Sequence, residues 1–140
     1  MITVIVPDAP SNSYLAGALT ELAEIKRRVR EEWHTVVGET SKATVEATII
    51  GLENCSIAHF ACHGVQDTVN PLNSGLVLSD GRLGIAELMR LASAGHSNLS
   101  LAFLSACETA KGDNSTPDEA MHLGGVMLFA GFRSVVGTMW

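Results

Sequence analysis

Hydrophobic and polar positions along the chain change period several times, and each change marks an element. Ile2 to Val6 is a β-branched run stopped by Pro7-Asp8-Ala9-Pro10, which predicts a strand followed by a loop. Leu15, Ala18, Leu19, Leu22, Ile25 and Val29 then recur at helical spacing, while Glu21, Glu24, Lys26 and Arg27 fall mostly on the opposite side. That pattern predicts an amphipathic helix of about five turns, with Ser11, Asn12 or Ser13 as its cap. Thr35 to Val37 predicts a short strand closed by Gly38, and Thr40 or Ser41 then opens a helix running to about Leu52.

Ser56 to Cys62 is nearly all apolar, the pattern of a strand buried on both faces, and His63-Gly64 ends it. Leu76 to Leu83 reads as a hairpin around Asp80-Gly81. Ile85 to Ala94 is helical in period and stops at Gly95. Leu99 to Ala106 is a second buried strand, followed by Cys107 and a polar loop. Thr116, Pro117 and Glu119 form a helix start with a capping box; that helix runs to about Phe129, and Gly131 ends it. Ser134 to Trp140 is a last strand.

Strands separated by single helices predict an α/β fold with a mainly parallel sheet in one of a few doubly wound orders. Such sheets bind ligands beyond the carboxyl ends of their strands. Two places meet that rule: His63-Gly64 after the third strand and Cys107 after the fourth. If those strands are neighbours, His63 and Cys107 face one crevice.

Composition narrows the function classes. At 140 residues the chain is one domain or a piece of one. Its 9 basic and 15 acidic residues give a net charge of −6, which argues against nucleic-acid binding. Three cysteines without regular spacing do not form a disulfide framework and suit a reducing compartment. No run approaches the roughly 20 apolar residues of a membrane span, and the N-terminus lacks the basic region of a signal peptide. A cytoplasmic protein is therefore expected. The chain is apolar to Trp140, whereas termini are usually polar, so a chain cut at its C-terminus is expected.

A thiol attacks a carbonyl only as thiolate, and a free cysteine with a pKa of about 8.5 needs a neighbouring base. His63 could take that proton, and the backbone N–H groups of Gly64 and Cys107 could hold the resulting oxyanion. Residue by residue there is a plainer reading, since free cysteine is among the most buried residue types. Position after two buried strands leaves both readings open.

The stretches His59-Phe60-Ala61-Cys62-His63-Gly64, Asn70 to Leu83, Leu104-Ser105-Ala106-Cys107-Glu108-Thr109-Ala110 and Met127 to Trp140 resemble, in that order, the CHAT domain. That family consists of caspase-like cysteine peptidases related to separase, often carried after tetratricopeptide repeats. The resemblance covers nearly the whole chain and is strongest from Ile57 onward. It implies a three-layer caspase-like fold, catalytic roles for His63 and Cys107, a protein substrate, and repeat domains flanking this single domain in a longer chain. It implies no cofactor. Family members continue past the tryptophan, so residues 1–140 are expected to be a domain incomplete at its C-terminus.

The other chemistry-bearing residues have plainer expectations. Cys62 should point to the sheet face opposite His63, as core, and His59 should share the face of His63, so the three do not make a metal site. Cys55 is expected as packing, and His34, His96 and His122 as solvated or capping residues. Close packing against the sheet would explain Gly124-Gly125 inside the last helix. Asp8, Glu108 and Asp113, with Lys111 the main nearby cation, are candidates for a substrate pocket that favours Arg or Lys. Two other classes compete with the peptidase. One is a CHAT module kept for protein–protein interaction. The other is a flavodoxin-like nucleotide or receiver domain, which lacks support from a Gly-rich first loop or clustered carboxylates.

Overall fold

Apolar residues that alternate between two covered faces build the centre of the molecule, and the computed structural model describes residues 1–9, 12–65, 74–93, 98–105 and 120–137 of it. The β-branched N-terminal run forms β1 (Ile2–Ile5), buried at every position. α1 (Ala16–Arg28) follows, then a 3₁₀ turn (Glu31–Trp33), β2 (Thr35–Val37) and α2 (Val45–Glu53). β3 (Ile57–Ala61) leads into a hairpin region of β4 (Gly64–Val65), β5 (Gly75–Val77) and β6 (Arg82–Gly84). α3 (Ile85–Ser93), β7 (Leu101–Leu104), α4 (Ala120–Phe129) and β8 (Ser134–Gly137) follow among the described residues.

The main sheet has five strands in the order β2-β1-β3-β7-β8, and every pairing is parallel. Helices cover both faces, as expected. Leu52 of α2, Leu88 and Leu91 of α3, and Leu123, Val126 and Met127 of α4 share one core with Ile2, Val4, Ala58, Phe60 and Cys62. On the other face Ala18 and Leu22 of α1 pack with Ile5 and Ala61. The strand period of two separates these sets: even-numbered residues of β1 and β3 face α2–α4, odd-numbered ones face α1. The result is three layers, consistent with a caspase-like fold. Strand order by itself also suits a doubly wound nucleotide-binding domain.

Local signals placed most elements within a residue or two, and the departures have physical causes. α1 is shorter than expected, and its cap is Leu15 with no side-chain hydrogen bond; Asn12 and Ser13 do not cap it, and Ser11 lies outside the described residues. Its last turn carries Lys26, Arg27 and Arg28, suited to the negative end of the helix dipole. α2 begins later than Thr40 or Ser41. Thr44 Oγ1 accepts from the Ala47 N–H at 3.1 Å, and Asp80 Oδ1, from the hairpin turn, accepts from the Val45 N–H at 2.9 Å. The expected hairpin is present, with Leu76 opposite Leu83 and the Leu78 N–H bonded to Gly81 O at 2.8 Å. Its extension β4 is too short to show a period in sequence.

Gly38 closes β2 with φ +106°, and a Cβ there would lie 1.9 Å from Ile5 O. Gly131 ends α4 with φ +103°. The Phe132 N–H returns to Met127 O and the Gly131 N–H to Leu128 O, the paired bonds of a Schellman motif. The Gly124-Gly125 pair is not explained by close packing. A Cβ on Gly124 would meet Val135 Cγ1 at an ordinary 3.8 Å, and one on Gly125 meets nothing within 4 Å among the described residues. The expected helix start at Thr116, Pro117 and Glu119 lies outside the described residues, as do Gly95, His96 and Trp140. Among the described residues, no helix is long and apolar enough to cross a membrane.

Candidate active site

β3 and β7 are adjacent and parallel, with Ile57 opposite Leu101 and Phe60 opposite Leu104. The pairing runs one step further, through the Ser105 N–H to Phe60 O at 2.9 Å. The carboxyl ends of these two strands therefore lie side by side, as a crevice at that edge requires.

His63 follows β3 by two residues and is buried, at 4% exposure. Its Nε2 lies 2.7 Å from Ser13 O, in the loop between β1 and α1. A backbone carbonyl only accepts, so Nε2 is the donor, and in the neutral ring Nδ1 is then the nitrogen able to take a proton. Ser13 was expected to cap α1; its carbonyl instead fixes the orientation of this imidazole. Cys62, the preceding residue, is fully buried in the core on the opposite face. His59, His63 and Cys62 thus do not converge as a ligand set.

Gly64 begins β4. The Val77 N–H donates to His63 O at 2.8 Å, and Gly64 stands opposite Leu76. Hydrogen-bonded and non-hydrogen-bonded pairs alternate in an antiparallel ladder, so Gly64 and Leu76 form a non-hydrogen-bonded pair. The Gly64 N–H accordingly points away from β5. Asp8 is exposed just past β1, on the same edge of the sheet. Cys107, Glu108, Lys111 and Asp113 lie outside the described residues.

The α1 face carries a polar network that a division of α1 into an apolar and a charged face does not reveal. His59 is buried, and its Nε2 donates to Glu21 Oε2 at 2.8 Å. Ser105 Oγ donates to Glu21 Oε1 at 2.7 Å. The His59 ring stacks on Phe103, its neighbour across β7, with centroids 5.1 Å apart and planes 15° apart. Glu21 was expected on the polar side of α1; it turns toward the sheet instead. The available signal was His59 itself, since a histidine in the middle of a buried strand needs a polar partner.

Two further expectations change. His34 is neither simply solvated nor a cap: its Nε2 is hydrogen-bonded to the fully buried Thr3 Oγ1 at 2.8 Å. Partial burial, then the positive N-terminus and Lys26, hold its pKa below the usual histidine value. Cys55 is packing, as expected, and burial pushes its thiol pKa up.

The family model of the CHAT domain matches residues 4–140. No curated protein matches the chain.

Proposed function

The chain belongs to the CHAT domain family of caspase-like peptidases, and from that premise we propose that it is a cysteine endopeptidase hydrolysing peptide bonds of a protein substrate through a dyad of Cys107 and His63. The observation that carries the proposal is the register of β3 and β7 together with the orientation of His63. Phe60 pairs with Leu104; His63 and Cys107 each stand three positions further along the chain. Ser105, just past β7, and His59 of β3 both reach Glu21 of α1, so the ends of the two strands share that side of the sheet.

In this reading His63 Nδ1 takes the thiol proton, while the Ser13 carbonyl holds the opposite edge of the ring. The Cys107 thiolate adds to the scissile carbonyl, and the N–H groups of Gly64 and Cys107 receive the oxyanion. His63 returns the proton to the leaving amine, giving a thioester, and then takes a proton from the water that hydrolyses it. Asp8, Glu108 and Asp113 make the crevice acidic and favour Arg or Lys in the substrate before the cut. Tetratricopeptide repeats in a longer chain would recruit the protein substrate.

A fluorogenic peptide library tests both parts. Cleavage after basic residues that disappears in Cys107→Ala and in His63→Ala is the expected outcome. A profile preferring Asp before the cut would overturn the acidic pocket, and turnover that survives Cys107→Ala would overturn the dyad.

A further inference from the structure

We infer that Glu21 is a positioning residue for the proposed dyad, tying His59 of β3 and Ser105, just past β7, to α1; this rests on the peptidase reading above. Each Glu21 oxygen accepts from a different strand region, Oε2 from His59 of β3 and Oε1 from Ser105 just past β7. Backbone pairing between these strands reaches as far as the Ser105 N–H. The Ser105 side chain therefore anchors the chain at a position that is also paired through its backbone, two residues before Cys107 in sequence. Eight residues ahead of Glu21, Ser13 O fixes the His63 ring. One helix and its lead-in thus touch the imidazole, its strand and the approach to the nucleophile.

A purely structural role would show as stability alone. The Glu21 side chain is 37% exposed, and polar contacts at such sites add modestly to net stability. Positioning is different, because small misplacements of reacting groups, set far from the chemistry, can cost up to about a hundredfold in rate. The carboxylate suits the task because it offers two acceptors at fixed spacing to two donors.

The test is iodoacetamide alkylation of the folded full chain at pH 7, with each cysteine followed by mass spectrometry. In the wild type, Cys107 should react faster than Cys55. Glu21→Ala, checked as folded by circular dichroism, should slow Cys107 by about tenfold or more. Glu21→Gln can still accept from His59 and can donate its amide to the Ser105 hydroxyl, so it should stay within about threefold of wild type. Ser105→Ala should slow Cys107 like Glu21→Ala, and the double variant should be no slower than the worse single one. A folded Glu21→Ala with the wild-type Cys107 rate overturns the inference. If Glu21→Ala does not fold, Ser105→Ala decides, and a wild-type rate there overturns it equally. A wild-type Cys107 no faster than Cys55 fails the peptidase reading itself, a result visible before any variant is made.

Discussion

His63→Ala should change stability and thiol reactivity separately. The ring is 4% exposed and donates to Ser13 O at 2.7 Å. Truncation removes the donor, but the acceptor is the carbonyl of the exposed Ser13, which water can reach, so the lost bond costs about 0.5–1.5 kcal/mol. The lost ring contacts add about 1 kcal/mol at roughly 25 cal/mol per Å² of apolar surface. The sum is about 1.5–2.5 kcal/mol against a net stability of about 5–15 kcal/mol. At an m-value of about 2 kcal/mol/M, urea unfolding should move its midpoint by about 1 M. The second effect is on Cys107. A thiol of pKa about 8.5 is a few per cent thiolate at pH 7, whereas one paired with a base is largely ionised. His63→Ala should therefore slow Cys107 alkylation by about tenfold or more, while Cys55 and Cys62 are not slowed. His63→Gln separates the two effects, since its amide can still reach Ser13 O but cannot act as a base. It should recover much of the stability and none of the reactivity. An unchanged urea midpoint in His63→Ala would refute a stabilising role for the His63–Ser13 hydrogen bond; an unchanged Cys107 rate would refute the dyad.

Cys62 is fully buried and the burial of Cys55 raises its thiol pKa, so Cys107 should take up alkylating reagent first; equal labelling of all three in the folded protein would count against an activated thiol. His34 is held below its usual pKa, so the unfolded state binds its proton first as pH falls. Stability should therefore drop as pH goes below about 6.5 and level off once the folded state is protonated too. His34→Gln should flatten that part of a urea-midpoint profile, and an equally steep profile would remove His34 as the cause. Gly38→Ala puts a methyl 1.9 Å from Ile5 O at φ +106° and should destabilise by about 2–4 kcal/mol, read by thermal melting. A loss of under about 0.5 kcal/mol would mean the β1–β2 edge moves aside easily.

Periodicity along the chain determined which residues are strand, which are helix, and which strand face each side chain takes. Ile2 to Val6 and Ser56 to Cys62 read as buried strands because nearly every position is apolar, and a strand covered on both faces cannot be otherwise. The opposed directions of Cys62 and His63 follow from a period of two. His63 sits at a strand's carboxyl end because the apolar run stops there. None of this required knowing which strands are neighbours. The tertiary structure decided everything that depends on that. Thr44 caps α2 locally, while Asp80 adds an acceptor from the hairpin turn, 35 residues away, which no local rule could supply. The Ser13 carbonyl meets His63 because β1 and β3 are adjacent, which brings the loop after one beside the histidine after the other. Glu21 looked like solvent-facing charge because carboxylates usually are, although its spacing from Ala18 and Ile25 puts it beside the apolar stripe of α1. It faces the sheet because His59 and Ser105, from two neighbouring strands, present donors at that spot, and an inward carboxylate satisfies both.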